Sequence, residues 1–301
     1  MLIRTGYEIV FDCRAPTPMI LMLSVRPERF PDLITPQTLH VSPSTPARAY
    51  RDGFGNVCHR LIAPAGRIRF AADFLIRDSG LPDELAQRAP QHPVDELPDE
   101  TLVYLLGSRY CETEALADMA WAEFGQTKPG WSRVQAIVDY VHEHLTFSYA
   151  SARSTRTAFE AHHERLGVCR DFAHLAIALC RCMNIPARYC TGYLGDIGIE
   201  ALPSPMDFSA WFEVFLGGRW RTFDARHNQP RIGRICMARG RDATDAAITT
   251  AFGKADLVSF NVITDEVPSE EAELDAPATH SGSSTRTALA AGDAPTAAPA
   301  A

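Results

Sequence analysis

The stretch SAWFEVFLGGRWRTFD, residues 209–224, limits what this chain can fold into more than any other part of it. Two runs rich in aromatic and branched side chains meet at Gly217-Gly218, the kind of two-residue connection that joins hairpin strands through positive φ angles. With those glycines as the turn, 216 pairs with 219, 211 lies opposite 224, and 209 lies opposite 226. Ser209, Trp211, Glu213, Trp220, Thr222 and Asp224 then share one face of the sheet. Trp211 and Trp220 read as core or cleft wall, and Glu213 is expected to meet an arginine such as Arg188.

Helices flank this hairpin. From Trp131 to about Leu145, Val134, Ile137, Val138, Val141 and Leu145 recur at helical spacing, so one face must pack. A shorter helix spans Glu114 to Phe124 and ends at Gly125, a third begins near Cys169, and 188–193 reads as a further strand. Upstream the pattern is strand-like, in Ile9–Cys13, Val57–Ile62 and Ile68–Ile76, with a turn at Asp52–Asn56 and proline breaks between 27 and 46. The expected class is α+β. A β-rich domain over 1–80, a small sandwich, leads through an acidic, proline-rich linker over 81–100 to a helix-plus-antiparallel-sheet core over 101–266. The segment 267–301 has few large apolar side chains and is expected to be disordered.

Composition narrows the function. The chain has 301 residues, is 46% hydrophobic and carries a formal charge of -8, without a basic run interleaved with aromatics. A nucleic acid or an anionic membrane is therefore not an expected partner. The apolar runs are short and no basic-then-apolar leader opens the chain, so a cytoplasmic protein is expected. Eight cysteines at irregular spacing suggest reduced thiols. Cys180 and Cys182 point about 200° apart on a helix, with no CxxC or HxxxH in support, so no metal site is read there. Nothing here speaks to the oligomeric state.

Cys169 is the candidate for chemistry. As a core thiol it would share a stripe with Phe172, Ala176, Leu179 and Met183. As a nucleophile it would use the first turn of a helix after Gly167, where free N–H groups and the helix dipole favour a thiolate and could hold an oxyanion. Position alone leaves the two readings level.

GVCRDFAHL (167–175), NIPARYCTGY (184–193), AWFEVFLGGRWRTFD (210–224) and GRDATD (240–245) together resemble the core of bacterial transglutaminase-like proteins, over roughly Trp131 to Phe252. The strand-rich start is similar to the accessory domain that often precedes this core. The resemblance implies a papain-like fold, a Cys-His-Asp triad with Cys169 first and Asp224 third, a peptide or protein substrate attacked at an amide carbonyl, and no cofactor. It implies a hydrolase or amidase ahead of a cross-linking enzyme. The family's strand opens with His-Ala-Trp, however, and here the first residue is Ser209. A hydroxyl cannot serve as the base near neutral pH. His227 is the candidate replacement, brought back by a turn after Asp224. His162 and His163 lie upstream of the cysteine, and His174 lies on a polar stripe with Arg170 and Arg181. Arg226 could hold a thiolate or an anionic ligand. The alternative is a pseudoenzyme that uses the same cleft to bind a peptide or protein.

Overall fold

The computed structural model describes residues 1–200 and 206–268. The tail expected to be disordered lies outside the described residues from 269 onward. Six strands open the chain: β1 (Leu2–Cys13), β2 (Thr17–Leu21), β3 (His40–Ser42), β4 (Arg48–Arg51), β5 (Val57–Ala63) and β6 (Gly66–Arg77). A helical block follows, with α1 (Asp99–Leu102), α2 (Thr113–Phe124), α3 (Trp131–His144), β7 (Thr146–Phe147), α4 (Ala158–Glu164), β8 (Leu166–Gly167) and α5 (Cys169–Cys182). The remaining strands are β9 (Ala187–Tyr193), β10 (Ser209–Leu216), β11 (Arg219–Phe223), β12 (Ile235–Gly240), β13 (Thr249–Ala251) and β14 (Ala255–Val267).

Period-two burial builds the first unit. Ile68, Phe70, Ala72, Phe74 and Ile76 of β6 are buried at every second position. They pack with Ile3 and Ile9 of β1 against Met19, Leu21 and Leu61 of the facing sheet. The two antiparallel sheets run β14-β1-β6-β3 and β13-β2-β5-β4, a small sandwich as expected. The reading that carries the core to residue 266 is corrected here. β14 pairs with β1 from Leu2↔Val267 to Cys13↔Ala255, and β13 pairs with β2. Long alternating strands find backbone partners in the amino-terminal sheets, which sequence order alone does not reveal.

The second unit stacks helices on the antiparallel sheet β11-β10-β9-β12. The hairpin register is as expected from its turn, Leu216↔Arg219 through Phe212↔Phe223, with φ of 59° at Gly217 and 78° at Gly218. The strand stops at Phe223, so 209 and 226 are not cross-strand partners. Between the units the acidic segment is a docked strap rather than a free linker. The Trp131 N–H donates to Ala89 O at 3.0 Å, the Gly217 N–H donates to Pro90 O at 3.0 Å, and Glu84 pairs with Arg219 and Arg221. Asp83 and Glu84 are held because they meet arginines.

α5 is the central helix, buried from Asp171 to Cys182, and its polar stripe is buried with the rest. Arg181 is 2% exposed and donates to Leu106 O, Ala187 O and Arg241 O. His174 is 0% exposed, stacks on Tyr110 and accepts the Ala243 N–H at Nε2, 3.1 Å. It is therefore a core group rather than a candidate base. Burial first, then Arg170 and Arg181, hold it well below its ordinary pKa against the pull of Asp242. A histidine kept neutral when folded stabilises the fold fully above its unfolded pKa and loses that contribution as pH falls. Below about pH 6.5 the unfolding free energy from urea titration is expected to decline, by about 1.4 kcal/mol per pH unit from this group. His174→Gln should remove that component of the slope; an unchanged slope would show that the imidazole does not titrate as described.

Candidate functional site

Cys169 is the first residue of α5, after a Val168 N-cap in extended conformation. Gly167 before it is not needed for a turn. A Cβ there would sit 2.7 Å from Asp171 Cβ, so glycine lets the Asp171 side chain fold back beneath the helix start. Asp171, 1% exposed, accepts the Val168 N–H at 3.0 Å and is held by Arg156 and Arg170. This buried network fixes where the helix, and so the cysteine, begins.

Helix position does not decide the state of the thiol. Burial pushes Cys169 up to about 11. The Arg226 guanidinium opposes this, Asp207 adds to it, the Ala210 N–H opposes it and Asp224 adds to it. Desolvation therefore works against the activated thiolate that the helix start favours. Arg226 is beside the cysteine, its Cζ 3.8 Å from the centre of the Phe147 ring. Asp207 and Tyr149 complete the surround. Asp207 is raised above the usual carboxylate range, mainly by burial, and Tyr149 is raised for the same reason.

Asp224 is 6% exposed, just past the end of β11. A turn follows, closed by the Asn228 N–H on Asp224 O at 2.8 Å, and it returns His227 to the carboxylate. Oδ1 accepts the Arg226 and His227 N–H groups at 3.0 and 3.1 Å. Oδ2 accepts from His227 Nδ1 at 2.9 Å and from the Arg234 guanidinium at 2.9 Å. Burial alone would raise this carboxyl; Arg234, then the His227 hydrogen bond and charge, outweigh it and hold the group far below the usual carboxylate range. An acceptor-only carboxylate requires the proton on Nδ1, which leaves Nε2 as the free nitrogen of neutral His227.

These residues do not close a relay. Among the described residues no imidazole hydrogen-bonds the Cys169 thiol. His162 stacks on His144, ring centres 4.6 Å apart, and contacts the Tyr140 hydroxyl; His163 contacts Phe159 O. Ser209, 7% exposed, opens β10 beside the Ala210 N–H that faces the thiol. Asp207, Tyr149, Arg234 and the strap's Asp83, which binds Arg234 Nε at 2.7 Å, escaped the sequence reading. Only Asp207, two residues before Ser209, carried a positional signal. No helix among the described residues is long and apolar enough to cross a membrane.

Residues 119–225 match the profile of the transglutaminase-like superfamily. An uncharacterized protein of Mycobacterium leprae is 33% identical over 93 residues, a match that spans 30% of this chain and only 33% of that protein. An uncharacterized protein of Mycobacterium tuberculosis is 26% identical over 220 residues, 65% of this chain and 68% of that protein. A crystal structure of a provisionally named cysteine protease from Cytophaga hutchinsonii aligns with a TM-score of 0.78 and 31% identity, over 89% of this chain and 91% of that one. That likeness runs through both units, and with the profile match on the segment that holds Cys169 and Asp224 it shows that the chain belongs to the transglutaminase-like superfamily.

Proposed function

We propose that the Cys169 cleft binds a peptide or protein at an amide carbonyl and turns it over far more slowly than a complete Cys-His-Asp relay would. In acyl transfer the thiolate adds to the carbonyl carbon, the C–N bond breaks, and the leaving amine takes a proton. A positioned base both generates the thiolate and returns that proton, a contribution of ~10² to 10⁴ in rate. One observation carries the reading: Asp224 is already fully hydrogen-bonded, while no imidazole among the described residues bonds the thiol. The nucleophile and the orienting carboxylate remain, and position 209 supplies no base.

A second reading, a working hydrolase, has its own support in the 2.9 Å contact from His227 Nδ1 to Asp224, the orienting half of a triad. It requires Nε2 to reach Cys169 when substrate binds. The two separate on a panel of peptide amides, with binding followed calorimetrically and ammonia or amine release followed over hours. The expected result is saturable binding, with slow release that falls in Cys169→Ala and is unchanged in His227→Ala. Release that disappears in both Cys169→Ala and His227→Ala would replace the first reading by the second.

A further inference from the structure

A cavity of about 510 Å³ lies where the sandwich meets the core. Ile9 and Phe11 of β1 and Leu257 and Phe260 of β14 make one wall; Arg170, Tyr189 and Thr191 line it from the core. Its size is that of a ligand pocket. The core wall adjoins the nucleophile. Arg170 is the residue after Cys169, Tyr189 is near enough to Cys169 that a thiolate there would raise its phenol, and Thr191 pairs with Ala210, whose N–H faces the thiol.

That wall has spare hydrogen-bonding capacity. Tyr189 is 4% exposed as a residue and lines the cavity, where its hydroxyl is open to a ligand rather than spent on a hydrogen bond among the described residues. Arg170 spends its terminal nitrogens on Ser154 O, Arg153 O and Asp171, while its buried Nε has no partner among the described residues. Two donors beside an apolar wall suit one chemistry: a peptide carbonyl oxygen on the Tyr189 side and a large aliphatic or aromatic side chain against Ile9, Phe11, Leu257 and Phe260.

We infer that this cavity is a specificity subsite, which seats a large apolar residue flanking the amide held at Cys169. The inference rests on the peptide-binding reading above. The sandwich thus selects the ligand, β1 and β14 supplying the apolar wall and the core supplying the hydrogen-bond donors.

The test is calorimetric titration of the full chain with acetyl-X-glycine amides in which X is Phe, Leu, Asp or Lys. The Phe and Leu peptides are expected to bind about 10-fold or more tighter than the Asp and Lys peptides, the scale on which an apolar pocket discriminates. Ala247→Trp, which fills the cavity from a partly exposed position, should abolish that preference. Tyr189→Phe removes only the hydroxyl and should weaken the apolar peptides about 3- to 10-fold, so it carries the test if the bulkier variant does not fold. Equal affinities across the panel, unmoved by either variant, would overturn the subsite and leave peptide binding standing. Failure of every peptide to bind would overturn both.

Discussion

Replacing Ser209 with His is expected to raise the rate of Cys169 alkylation at pH 7 by about 10²-fold. A thiol near 11 is thiolate in only about one molecule in 10⁴ at neutral pH. Pairing with an imidazole can bring a cysteine below 7, which raises that fraction by about 10⁴. The less basic thiolate is also the weaker nucleophile, with a Brønsted slope of about 0.4 to 0.5, and this removes roughly half of the logarithmic gain. Iodoacetamide labelling followed by peptide mapping gives the rate. In the wild-type chain Cys236 should label ahead of Cys169. Both thiols are partly exposed, but the Cys236 pKa is lowered: burial raises it, and the Cys190 thiol and Arg239 outweigh burial. The new imidazole must share Asp224 with His227, so Ser209→His combined with His227→Ala should gain at least as much. If neither variant changes the labelling of Cys169 while both remain folded, a missing base is not what keeps the thiol quiet.

Arg234→Ala is expected to cost about 3 to 5 kcal/mol of folding stability. The Arg234 side chain is 7% exposed, donates to Asp83 at 2.7 Å and to Asp224 at 2.9 Å, and lies over the Trp211 ring. Removing one member of a buried ionic group leaves the others desolvated and unpaired, which is costlier than deleting the whole group. The loss also depends on pH. Asp224 has a depressed folded pKa, so its contribution is present above the unfolded value near 3.9 and lost as pH falls below it. Urea unfolding at pH 7 and at about pH 2.5 measures both; a loss under about 1 kcal/mol at pH 7 would show that the group is not the support described. Arg234→Lys keeps the charge but not the fork, and should fall between.

How much of this was legible in the sequence depended on distance along the chain. The Gly217-Gly218 turn, the α3 stripe and the start of α5 are local patterns, and their elements appear within a residue or two of expectation. The turn that brings His227 to Asp224 is also local, spanning three residues. What sequence order hides is pairing across hundreds of positions. Nothing near Ala255 announces that its strand will bond to Leu2–Cys13, and the Asp83–Arg234 contact joins residues 151 apart. Burial hides as well. The sequence marks a polar stripe on α5 but not what lies over it, and the segments around 108–111 and 240–246 cover it.

The antiparallel pairing of β1 with β14 has a consequence for how the chain is made. Roughly two hundred and forty residues separate the two strands, so during synthesis the amino-terminal sheet waits with an unpaired edge while the helical block emerges and packs. Contacts of such separation form slowly because a long loop must close before they reward the chain. The core is in effect an insertion between two halves of a sandwich, and a truncated product that stops before Ala255 would carry a long, sticky strand edge prone to self-association.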